Sequence, residues 1–130
     1  MKRFAVALLA LLLLLPAVAS AKSIRVKFPR GRTTVVLKGK TTGGPSEGGG
    51  MDPITYVLRA RKGQQMTLRV VSAKKNAVLG VYAPGMELLE GVQNVKDWTG
   101  TLPKTGDYEI MVFPEDEITD TTFTLEISIR

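Results

Sequence analysis

The chain of 130 residues carries 18 Lys or Arg against 12 Asp or Glu, a formal net charge of +6, and contains neither histidine nor cysteine. Without those two residue types the usual catalytic triads and thiol nucleophiles are excluded, as are the zinc, copper and haem sites that lean on them. A lysine acting as base to a serine is the remaining route, but Ser23, Ser46, Ser72 and Ser128 sit in no nucleophile motif. The composition therefore points to a binding protein and away from an enzyme.

Lys2 and Arg3 precede an apolar run over residues 4–15, and Pro16 leads into Ala17, Val18, Ala19, Ser20 and Ala21. The run is well short of the roughly 20 residues a bilayer span needs, and small residues at Ala19 and Ala21 fit a cleavage site. The expectation is a secretory signal over residues 1–21, cleaved after Ala21, and a single domain over residues 22–130 that is periplasmic or secreted. After cleavage it is not an integral membrane protein, and one hydrophobic core without disulfides must hold it together.

Period-two alternation dominates the exported part. Ile24, Val26 and Phe28 share one strand face, and after the turn at Pro29 and Gly31 the alternation resumes with Thr33, Val35 and Leu37, predicting a hairpin. Residues 39–52 hold Gly43, Gly44, Gly48, Gly49, Gly50 and Pro45 and predict a surface loop. Ile54, Tyr56, Leu58 and Ala60 alternate next, and Gly63 leads into Met66, Leu68 and Val70, predicting a second hairpin. Residues 77–83 are apolar at nearly every position and predict an interior strand covered on both faces. Residues 86–97 predict a loop with a short helical turn, weakened by Gly91. Trp98, Gly100 and Leu102, then Tyr108, Ile110 and Val112, and finally Phe123, Leu125, Ile127 and Ile129 complete about eight strands, the pattern of an all-β antiparallel sandwich. Tyr56, Leu58, Met66, Leu68, Tyr108, Ile110, Val112, Phe123, Leu125 and Ile127 are its predicted core.

Charge divides along the chain, with thirteen basic residues against two acidic ones in residues 22–75 and three against ten in residues 76–130. Cross-strand pairing of early basic strands with late acidic ones absorbs such a division, and separate surfaces would instead make an electrostatic dipole. Arg25, Lys27, Arg59 and Arg69 fall on outward strand positions, and Tyr56, Tyr108 and Phe123 point inward, which disfavours nucleic acid as a partner. Glu115, Asp116, Glu117 and Asp120 lack the spacing and central glycine of a calcium loop and read as a solvated acidic connection, with no metal or cofactor implied. Residues 102–106, Leu-Pro-Lys-Thr-Gly, match the LPxTG signal read by sortases, but the strand pattern that follows makes them a turn. Trp98 is either a core plug or a binding anchor, and Met51, beside the glycine loop, has no obvious core strand to join.

Val26, Lys27, Phe28 with Arg30 and Gly31, Tyr56 to Ala60 with Lys62, Gly63 and Gln64, and Ala83, Pro84 and Gly85 form a familiar outline. Its strongest part is residues 100–112 with residues 123–127. On these residues the chain resembles the periplasmic inhibitors of goose-type lysozyme and, more distantly, the bacterial pre-peptidase C-terminal (PPC) domains. The resemblance implies a PPC-like sandwich and a lysozyme or other wall-degrading hydrolase as partner, blocked by surface loops. In that family a tyrosine and arginines enter the lysozyme's cleft. Here Gly49, Gly50 and Met51 stand at the tyrosine's place and Glu115, Asp116 and Glu117 at the arginines', so no inhibitory residue carries over directly. The candidate contact residues are Met51, Asp52, Glu115, Asp116, Glu117 and Asp120. The alternative is a non-inhibitory envelope module that binds glycan, lipopolysaccharide or an envelope protein through Arg25, Lys27 and Arg59, and a purely structural role in the envelope stays open beside it.

Overall fold

The computed structural model describes residues 23–41, 54–116 and 119–130. The predicted signal segment, most of the glycine-rich loop, Met51, Asp52 and Glu117 lie outside the described residues.

Nine strands are present among the described residues: β1 (Ser23–Arg25), β2 (Thr34–Thr41), β3 (Ile54–Ala60), β4 (Gln65–Ser72), β5 (Ala77–Ala83), β6 (Glu87–Val95), β7 (Asp97–Thr101), β8 (Gly106–Pro114) and β9 (Thr121–Ile129). They form a five-stranded sheet in the order β1-β3-β8-β5-β6 and a four-stranded sheet in the order β2-β9-β4-β7. All pairings are antiparallel except β1 with β3. The fold is the all-β sandwich expected, with one strand more.

The core follows from alternation. In β4 Met66, Leu68 and Val70 are buried while Gln65, Thr67, Arg69 and Val71 face out, and β9 repeats the pattern with Phe123, Leu125 and Ile127. Every predicted core residue is buried, with no more than 4% of its surface exposed. Ala77 to Val81 of β5 are all buried, and the strand lies between β8 and β6. Half-buried Trp98 packs against the core and lies over Gly100, where an added Cβ would come within 2.3 Å of the indole ring.

Four local expectations are corrected. The predicted hairpin of residues 24–37 does not form. β1 pairs with β3 in one sheet, β2 pairs with β9 in the other, and the Pro29–Gly31 turn carries the chain across between them. The predicted β3–β4 hairpin fails for the same reason: the turn closed by Gln64 N–H donating to Arg61 O (3.1 Å), with Gly63 at φ +91°, passes from sheet to sheet. Alternation identifies which face of a strand is apolar, but covering two apolar faces at once decides which strand it pairs with. Residues 87–95 are not a loop but strand β6, whose pairing with β5 shifts register twice. Gly91 at φ +81° and Asn94 at φ 55° break its alternation, as bulges do. β2 also runs on to Thr41, because Gly39 packs inward where an added Cβ would lie 2.6 Å from Phe123 Cζ.

The Leu-Pro-Lys-Thr-Gly segment is a turn, as expected. The Tyr108 hydroxyl donates to Lys104 O (2.6 Å) and accepts from Lys104 N–H (3.0 Å), closing the corner into β8. Early basic residues meet late acidic ones across strands: Arg25 forms a bidentate pair with Asp107 at 3.0 Å, and the register sets Arg59 opposite Asp107 and Arg69 opposite both Asp97 and Glu126.

Candidate functional site

Strand register gathers the candidate loops at one end of the sandwich. Thr41 pairs with Thr121, Ile54 with Val112, Ala77 with Pro114, and Ser72 with Phe123. The two anchors of the glycine-rich loop, the β4–β5 turn and the acidic β8–β9 connection therefore all lie at this end. Loops presented by a rigid sandwich in this way are where recognition is usually placed, since they vary without disturbing the core.

Side chains hold the β4–β5 turn and the described residues of the β8–β9 connection. The Ser72 hydroxyl accepts from Asn76 N–H (3.0 Å) and Ala77 N–H (3.1 Å), and Lys75 takes a left-handed conformation at φ 54°. Glu115 N–H donates to Asn76 O at 2.7 Å, which docks the acidic connection onto this turn. Within that connection the Asp116 carboxylate accepts from Thr119 N–H (2.9 Å) and from the Thr119 hydroxyl. Asp116 thus shapes its own turn, an aspartate habit that needs no partner protein. Glu115 and Asp120 are exposed. Lys74 Nζ donates to Asp120 O (3.5 Å), and Lys96 Nζ to Lys75 O (2.8 Å).

Of the predicted contact residues, Glu115, Asp116 and Asp120 are brought together here, beside a turn that sequence reasoning did not single out. Its signal was the polar run Ser72, Ala73, Lys74, Lys75 and Asn76 between two apolar strands. Two buried side-chain oxygens at the same end, Thr41 Oγ1 and Asn76 Oδ1, have no hydrogen-bond partner among the described residues. Most buried polar atoms are paired, so this end is less completely satisfied than the core. Among the described residues no group of three or more Asp or Glu side chains converges to hold a metal.

Two groups of basic residues differ in their surroundings. The Arg25 guanidinium hydrogen-bonds Asp107 and holds its carboxyl below the usual carboxylate range, and Arg59 adds to the effect by its charge. Lys38, Lys40 and Lys74 line two adjoining recesses on the outward face of β2, β9 and β4, of about 510 Å³ and 240 Å³, next to the loop end. Buried Tyr56, in a T-shaped contact with the Phe123 ring at a centroid distance of 6.4 Å, has its phenol pushed up by desolvation.

No family model matches the chain, and no curated protein matches it. Solved structures do. The chain is similar to Aeromonas hydrophila PliG, a periplasmic lysozyme inhibitor of g-type lysozyme, with a TM-score of 0.68 and 28% identity over 84% of this chain and 96% of that one. It is also similar to Salmonella Typhimurium PliG, another such inhibitor (TM-score 0.63, 22% identity, covering 85% of this chain and 100% of that one). The pre-peptidase C-terminal domain of Bacillus anthracis collagenase shares the fold at a TM-score of 0.56 and 16% identity, over 85% and 97% of the two chains. The family and scaffold that the sequence resembles are those found among its structural neighbours.

Proposed function

We propose that this chain is a periplasmic inhibitor of a wall-degrading hydrolase of the g-type lysozyme class, and that the end of the sandwich carrying the acidic connection meets the enzyme. The observation that carries this reading is the likeness to the Aeromonas inhibitor, at 28% identity over 96% of that protein. Fold alone transfers no function, and the loop end adds the site-level support. It is a set of turns on a rigid frame, with exposed carboxylates that complement a cationic enzyme. In this reading inhibition needs no chemistry from the inhibitor. The protein acts by filling the cleft, so it has no catalytic residues, and its signal segment is removed after Ala21 during export.

The test is a pull-down of the exported protein against goose-, chicken- and invertebrate-type lysozymes, with a turbidity assay of cell lysis for each. The expected result is capture and inhibition of the goose type and little effect on the others. Failure to bind any of the three would refute the proposal. Intact mass of protein recovered from the periplasm should correspond to a chain starting at Lys22.

The rival reading, an envelope module acting through Arg25, Lys27 and Arg59, finds less support, since Asp107 already occupies Arg25 and faces Arg59 in register.

A further inference from the structure

We propose that the two adjoining recesses lined by Lys38, Lys40 and Lys74 together bind a phosphate-bearing glycan, independently of whether the loop end blocks a hydrolase. Alternation along β2 turns Lys38 and Lys40 to the same outward face, with Gly39 between them packed inward against Phe123. Two residues apart on a strand, their Cα atoms stand roughly 7 Å from one another. The register sets Thr124 beside Lys38 and Thr122 beside Lys40, so each lysine has a threonine as its cross-strand neighbour on β9. Lys74, on the β4–β5 turn, closes the adjoining recess.

Three features select the ligand. The first is unspent charge: the ion pairs among the described residues are Arg25 with Asp107 and Lys104 with Glu87, and neither Lys38 nor Lys40 takes part in them. Among the described residues lining the two recesses, Asp120 is the one carboxylate, against three lysines. The second is the type of cation. Lysine binds phosphate as a mobile point charge, which needs no fixed fork geometry and tolerates a phosphate carried on a flexible glycan. The third is the lining around the charges, where hydroxyls of Ser72, Thr122 and Thr124 match sugar hydroxyls and Val71, 55% exposed, offers an apolar floor for the C–H face of a ring. The ring of Phe123, 4% exposed, is turned into the core, so the recess lacks the stacking platform that single-stranded nucleic acid requires.

Calorimetric titration of the intact exported protein at low salt tests this, with a phosphorylated oligosaccharide and its dephosphorylated counterpart as probes. The phosphorylated form should bind and the other should not. Lys38→Gln with Lys40→Gln should weaken binding by about tenfold or more, the loss expected when hydrogen bonds to a charged group are removed. Lys74→Gln, off the strands, should weaken it in the same direction. Arg25→Gln with Arg59→Gln should leave it unchanged, and thermal unfolding of each variant reports that the fold is retained. Absence of binding by the unaltered protein, equal binding by the Lys38 and Lys40 variant, or equally tight binding of single-stranded DNA would each overturn the assignment.

Discussion

The two ends of the sandwich are built differently. At the end holding the turn into β8, backbone and side chain close on one another: Tyr108 binds both the N–H and the carbonyl of Lys104, Leu102 exchanges hydrogen bonds with Gly63 and Gln64, and Gln65 exchanges a pair with Arg130. At the opposite end Ser72 and Asp116 shape exposed turns, two buried oxygens lack described partners, and acidic and basic side chains lie side by side. A fully satisfied end contributes to stability and constrains its own sequence. The other end is free to diverge, which suits a surface that must match one particular enzyme.

The contrast can be broken at several levels. The largest loss should come from Leu125→Ala in the middle of β9, which is wholly buried and serves both ends. Chemical denaturation should show a cost of about 2–5 kcal/mol, and a loss under about 0.5 kcal/mol would mean this strand is not central. Next is Tyr108→Phe, which removes two hydrogen bonds to the Lys104 backbone, at about 0.5–1.5 kcal/mol each. Lysozyme inhibition by the refolded variant should be unchanged, because the lesion is at the closed end.

The loop end should answer in the opposite way. Glu115→Gln with Asp116→Asn should slow association with a cationic lysozyme by roughly 3- to 10-fold at low salt. At about 0.5 M salt the difference should fade, and equal association rates at low salt would remove the acidic connection from the interface. The smallest effect belongs to the exposed Arg25–Asp107 pair. The Asp107 carboxyl is depressed by Arg25, so any stability it adds is present above its ordinary value of 3.8 and lost as pH falls through the lower folded value. The gap in melting temperature between the protein and Asp107→Asn should be small at neutral pH, shrink in acid, and shrink further with salt.

The closed end and the core were legible in the sequence because their signals are local. Met66, Leu68 and Val70, or Phe123, Leu125 and Ile127, announce their buried face by alternation alone, and Pro103 with Gly106 announces the turn before Tyr108. Partner strands were not legible. Residues 54–60 and 65–72 look like a hairpin, and only the need to cover two apolar sheets sends them apart. β6 was hidden by its bulges. At the loop end the acidic residues could be named but not placed, and the Ser72–Asn76 turn carried no pattern beyond polarity. Lys38 and Lys40 were overlooked because Gly39 between them suggested the strand had ended.

Amide hydrogen exchange of the protein with and without a goose-type lysozyme tests the central claim most directly. Contact through the loop end predicts slowed exchange at residues 72–77 and 115–121, with the Lys104–Tyr108 corner unchanged. Protection confined to the corner or the outward sheet faces, or none anywhere, would contradict it.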